Sequence, residues 1–180
     1  AHTNSLIFTL SLLSGTSIRV ELESAQADLV AALSVASEVD KQADWVLRQT
    51  SHIDPQVAIK APFHLEDRHP NGSIPNAPLF GFRVSWNPTH DSLCVLDIKR
   101  KRGAWLTSPT PPPWDYAAPW RRLLQWIAAS EEILLAHAGC VIDKGRGVLL
   151  AWPGGSGKSS AVAMAYQQGF DTAGGDYGQL

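Results

Sequence analysis

The residues with the most chemistry in them run from Val148 to Ser160. An apolar run, Val148-Leu149-Leu150-Ala151, leads into Trp152-Pro153-Gly154-Gly155-Ser156-Gly157-Lys158-Ser159-Ser160, and an alanine-rich helical pattern follows from Ala161 to Gln168. In a phosphate-binding loop, glycines let successive backbone N–H groups converge on phosphate oxygens and a helix N-terminus adds positive potential. A lysine reaches the β- and γ-phosphates, and a hydroxyl holds Mg²⁺. On that pattern Gly154, Gly155, Ser156, Gly157, Lys158, Ser159 and Ser160 are expected to bind the phosphates, with Ser159 also on the metal. One position departs from it. The pattern G-x-x-x-x-G-K-S/T wants glycine where this chain has Trp152, which leaves Gly154 and Gly155 to supply the bend.

Other groupings of reactive side chains read more simply. His64-Leu65-Glu66-Asp67-Arg68-His69 collects metal-ligand residue types, but Pro62, Pro70 and Asn71-Gly72 mark it as a solvated loop. Lys99-Arg100-Lys101-Arg102 could grip phosphate, yet it lies between two β-rich runs and reads as a solvated turn. Cys94 and Cys140 lack the spacing of a zinc site or a redox motif, so they are expected as reduced thiols.

The elements that must carry the loop belong to an ordinary globular chain. Of its 180 residues 44% are hydrophobic and 18% charged, which separates it from disordered sequences. Its net charge of −2 gives it no general attraction for nucleic acid or anionic lipid. Leu6 to Leu13 has no preceding Lys or Arg, so it reads as a strand and not as a signal peptide. No apolar run approaches the roughly 20 residues that span a bilayer. A cytoplasmic protein is expected.

Alternation and turn residues predict a hairpin of Leu6–Leu13 with Ser17–Leu22, then a helix over Ala25–Val39. Ala43–Gln49 fits helix or strand equally. A short strand is expected at Gln56–Ala61, and an antiparallel pair at Leu79–Trp86 and Leu93–Ile98, followed by a strand at Ala104–Thr107. Ser108-Pro109-Thr110-Pro111-Pro112-Pro113-Trp114 reads as a semi-rigid spacer between domains. Beyond it come a helix over Tyr116–Ser130, with Asp115 as cap, Pro119 in its first turn and Trp120 and Trp126 as core anchors, and a continuous buried strand over Ile133–Ile142. Val148–Ala151 is then the strand that delivers the loop, and Gly169 is the expected C-cap of the helix after it.

His137-Ala138-Gly139-Cys140-Val141-Ile142, the phosphate loop, Gly169-Phe170 and Gly175-Asp176 together resemble the catalytic core of the HPr kinase/phosphorylase family. More closely they are similar to the broad HPr-kinase-like group with divergent N-terminal halves, over about residues 114–180. The resemblance implies a truncated P-loop kinase core (115–180); the residues before it, on their own patterning, read as an α+β N-terminal domain with antiparallel strands (1–107) and a proline-rich linker (108–114), which makes the whole an α/β protein. It implies an ATP- and Mg²⁺-dependent serine kinase acting on a protein or peptide hydroxyl. His137, Lys158 and Asp176 would be catalytic, and Ser159 and Asp176 would hold the metal. The partners would be a nucleotide and the acceptor, with no nucleic acid or membrane and room for a homo-oligomer.

Two departures qualify the resemblance. Spacing from the lysine puts Gly175 where the family has its first aspartate and general base, and Asp176 where it has the second; a one-residue slip would exchange these roles. The chain also ends 22 residues after Lys158, short of the family core, so it reads as a fragment or else as a degenerate member. The alternative readings are a nucleotide-binding regulatory or assembly module without transfer activity, and a peptide-binding domain with a vestigial loop.

Overall fold

The computed structural model describes residues 5–12, 14–23, 42–51, 67–108, 111–174 and 178–179. The protein is mixed α/β and divides into two compact units, Ala1–Ile127 and Ala128–Leu180. The proline-rich residues 108–114 lie in the first unit. The helix expected at 25–39, the strand at 56–61 and the first half of the His64–His69 cluster lie outside the described residues. Among the described residues no group of three or more His, Cys, Asp or Glu could hold a metal, and no helix is long and apolar enough to cross a membrane.

The first unit is built on a six-stranded sheet in the order β1-β2-β3-β6-β5-β4. β1 (Ser5–Ser11) and β2 (Ser17–Glu23) form the expected antiparallel hairpin, turned at Gly15, whose left-handed φ of 83° suits a residue without a Cβ. The undecided segment is a strand, β3 (Trp45–Thr50), with Trp45, Leu47 and Gln49 buried on one side. β3 runs parallel to both β2 and β6 (Arg102–Leu106), so the expectation of an antiparallel N-terminal domain gives way to a mixed sheet. Pairing direction is set by crossover connections, and local alternation does not encode it.

β4 (Phe82–Asn87) and β5 (Ser92–Asp97) form the expected antiparallel pair, and β5 also pairs antiparallel with β6. The first strand of that pair starts later than expected. Ala77–Phe80 makes a 3-10 turn closed by Gly81 at φ 82°, which leaves Leu79 80% exposed. The basic run is a turn leading into β6, where the Arg100 guanidinium donates to Asp97 Oδ2 at 2.8 Å.

Strand register separates two faces. One carries Phe8, Val20, Leu47 and Leu96 in one row, and Leu22, Gln49, Trp105 and Cys94 in the next. Trp120 packs on it, with its ring 5.5 Å from Phe8 and 6.1 Å from Trp105. Leu123 and Ile127, three and seven residues further on, are fully buried and continue that stripe. On the opposite face Ile74, Ala77, Val84 and Leu93 form a second cluster under the 67–81 segment.

The single helix expected over Tyr116–Ser130 is two: α1 (Pro113–Ala117) and α2 (Arg121–Ser130), broken at Ala118-Pro119-Trp120. Pro119 lacks the N–H a helix interior needs and disfavours helical backbone in the residue before it, so it sits in the break and not in a first turn. Trp120 adopts φ 54° and is 2% exposed, the core anchor expected of it, whereas Trp126 is only half-buried.

In the second unit β8 (Gly139–Asp143) lies between β10 (Asp171–Gly174) and β9 (Arg146–Leu150), antiparallel to both. The continuous buried strand expected at Ile133–Ile142 is instead β7 (Leu135–Ala136) and β8, because the two pair with different partners: β7 takes β11 (Gly178–Gln179). Leu134 is 62% exposed. β9 is an edge strand, with Val148 60% and Leu149 38% exposed.

Two predictions follow from this packing. Leu47→Ala removes a fully buried side chain from the central strand, and it should lower urea-unfolding stability by about 2–5 kcal/mol. At the start of β3, Asp44 Oδ2 accepts from the Ser17 N–H at 2.9 Å and from the Ser17 hydroxyl at 3.3 Å. The backbone N–H of Ser17 holds this carboxyl below its ordinary value of 3.8, so its stabilisation is present above that value and is lost as pH falls through the lower folded one. Melting temperatures taken across that range should show Asp44→Ala less stable than wild type near neutrality, with the gap closing in acid.

Candidate functional site

The loop is delivered by the β8–β9 hairpin, whose last pair sets Gly139 against Leu150. The chain then bends at Pro153–Ser156, where the Ser156 N–H donates to the Pro153 carbonyl at 3.3 Å. Gly155 (φ 76°) and Gly157 (φ 89°) take left-handed backbone, and a Cβ at Gly154, Gly155 or Gly157 would meet nothing within 4 Å. These glycines answer to backbone conformation and leave open space beside the loop. Trp152, at the position where the pattern wants glycine, is 61% exposed.

α3 (Lys158–Gln167) begins directly after Gly157, and its first helical bond runs from the Ala161 N–H to the Gly157 carbonyl at 2.9 Å. The N–H groups of Lys158, Ser159 and Ser160 therefore precede the hydrogen-bond ladder and point from the positive end of the helix. Ser159 and Ser160 are exposed. The helix ends as its glycine requires. Gly169 at φ 88° donates to Tyr166 O, and Phe170 donates to Ala165 O, the paired bonds of a Schellman motif.

Lys158 is 7% exposed, and its ammonium donates to the carbonyls of Trp152 at 2.8 Å and Pro153 at 3.2 Å. Among the described residues no carboxylate pairs with it. The burial follows from its place on the helix, because Lys158 and Val162, one turn apart, form the stripe turned to the sheet. A buried cation satisfied only by neutral carbonyls would gain from an anionic oxygen, since hydrogen bonds between charged partners are about twice as strong as neutral ones.

The sheet admits α3 this closely because of Gly139, which residue patterns alone had not singled out for packing. A Cβ there would lie 2.6 Å from Val162 Cγ2. A glycine inside a strand is the sequence signal for such an approach.

His137 lies just after β7 and two residues before Gly139, so it stands at the end of the hairpin where the loop begins, and it is exposed. Asp176 and Gly175 lie outside the described residues. Their flanks are placed: Gly174 pairs with Cys140 and Gly178 with Ala136, on either side of His137–Gly139. Asp171, the spare carboxylate nearest in sequence, pairs with Ile142, three residues or roughly 10 Å along β8 from Gly139 and away from the loop. The structure thus brings the glycines, Lys158, the two serines and His137 to one end of the sheet, and leaves Asp171 at the other.

No protein-family model matches this chain, and no curated protein matches it. The functional reading therefore stands on the residues and their geometry.

The Gly139 approach is open to test. Gly139→Ala should destabilise the second unit by about 1–3 kcal/mol, because a β-branched side chain has little rotamer freedom to yield. In unfolding titrations, adding Val162→Ala should cost less in the Gly139→Ala background than in wild type, because the clash is removed with the valine.

Proposed function

We propose that the loop Gly154–Ser160 binds ATP with Mg²⁺, and that the chain acts as an ATP-dependent serine kinase of the HPr-kinase-like group. The observation that carries this reading is the near-buried ammonium of Lys158 held inside the loop by two carbonyls at the start of a helix. An incoming phosphate supplies the anionic oxygens that this cation and the three leading N–H groups lack.

The residues fit a magnesium ion as such sites usually hold it. Mg²⁺ keeps several waters and takes few protein ligands besides the phosphates, so the exposed Ser159 hydroxyl and one carboxylate, Asp176, suffice. When bound, the ion would neutralise charge between the β- and γ-phosphates. Lys158 would bind and orient the phosphates. His137, at the loop end of the hairpin, would stand beside them. In transfer, the acceptor hydroxyl oxygen forms a bond to the γ-phosphorus, the bond to the β,γ-bridging oxygen breaks, and ADP leaves. The hydroxyl proton passes to His137 or Asp176, since Asp171 is at the wrong end of the sheet and Gly175 offers no base.

The second reading, a nucleotide-binding regulatory or assembly module, is favoured by Trp152 at a glycine position and by Gly175 in place of an acid. One assay separates the two. Incubated with γ-labelled ATP and Mg²⁺, the full chain should place label on a serine of itself or of an added polypeptide. Lys158→Ala should abolish the label, and Asp176→Asn should lower it by about 10²-fold or more. Mg²⁺-dependent ATP binding with no transfer would select the module. Trp152→Gly should tighten ATP binding several-fold in equilibrium dialysis, because it returns the loop to its regular pattern.

A further inference from the structure

A half-open cavity of about 120 Å³ lies within the first unit, between the sheet and the break that separates α1 from α2. Its floor is one register row of the sheet, Ser85, Cys94 and Trp105, with the Trp105 indole N–H held by Ser92 Oγ at 3.0 Å. Its roof is Asp115 on α1, Trp120 in the break, and Arg121 and Arg122 at the start of α2. His90 stands at the rim.

Several features mark this as more than a packing gap. The backbone of Trp120 is left-handed at φ 54°, which a bulky side chain rarely adopts and which structures tend to keep at working sites. Its indole N–H is buried without an acceptor, and buried donors of that kind are seldom left so. Two arginines and a half-buried carboxylate line the space, together with Asn71, Ser85, Asn87 and Ser92 and the rings of Trp105 and Trp120. Asp115 is raised above its ordinary value first by burial, against the pull of Arg121 and His90, so its charge is kept at a cost to folding. The Cys94 thiol, pushed up to about 12 mainly by burial, also senses both Arg122 and Asp115; a thiol that stays neutral is a wall of the cavity and not a nucleophile.

We propose that this cavity binds a small zwitterion of the α-amino-acid class, its carboxylate held by Arg122 and its ammonium by Asp115. A carboxylate from α1 and a guanidinium from α2 lining one cavity suit a ligand that carries both charges, and the volume suits a molecule no larger than about a serine. The site is independent of the phosphate loop and of the kinase reading.

The test is calorimetric titration of the full chain with glycine and L-serine, with acetate and inorganic phosphate as comparison probes. Glycine and L-serine should bind one to one, at least about ten-fold tighter than acetate. Asp115→Asn, nearly isosteric, should weaken L-serine by about ten-fold and leave acetate unchanged, while Arg122→Ala should weaken both. Three results would overturn the proposal: no heat from either amino acid with folded wild-type protein, acetate or phosphate binding as tightly as glycine, or L-serine binding that ignores Asp115→Asn.

Discussion

An ammonium group that is almost out of water must find oxygen, and Lys158 finds it in the carbonyls of Trp152 and Pro153. The two bonds tie the last residue of the turn to its first, so the loop is closed on its own lysine. Neutral carbonyls satisfy the geometry of the cation but not its charge. The loop therefore holds a positive centre that an anion can take over by exchange, without creating a new buried charge. Its shape and its positive centre come from the same contact.

That contact depends on how α3 is seated. Lys158 is buried because it shares a stripe with Val162, and Val162 reaches the sheet because Gly139 has no side chain. The Schellman close at Gly169 then sends the chain into β10, which runs back along β8 towards the loop end. Glycines do three different jobs here: Gly155 and Gly157 permit left-handed backbone, Gly139 permits approach, and Gly169 ends the helix. The first and the last are visible as local patterns, whereas the close approach at Gly139 is not.

The difference between those jobs explains what could be read in advance. The glycine-rich loop at 152–160 is a local pattern, so its strand, turn and helix appear where the residues indicate. The hairpin at Gly15 and the basic turn after β5 are local in the same sense. Pairing that depends on distant chain is not legible: β3 lies parallel to both neighbours, and β7 and β8 divide between two partners although their residues read as one apolar run. The break before α2 was half legible. Pro119 fits the first turn of a helix, and the apolar spacing on both sides of it reads as one helix. The left-handed Trp120 that completes the break, and the polar cavity beneath it, follow from tertiary packing on Phe8 and Trp105.

The central claim is that Lys158 exchanges its loop carbonyls for the phosphates of a nucleotide. Calorimetric titration of the full chain with ATP, with and without Mg²⁺, addresses it most directly when run beside Lys158→Ala and a check that the variant remains folded. The account predicts Mg²⁺-dependent binding that the substitution weakens by at least about ten-fold. Binding of equal strength in the folded variant, or none in the wild type, would contradict it.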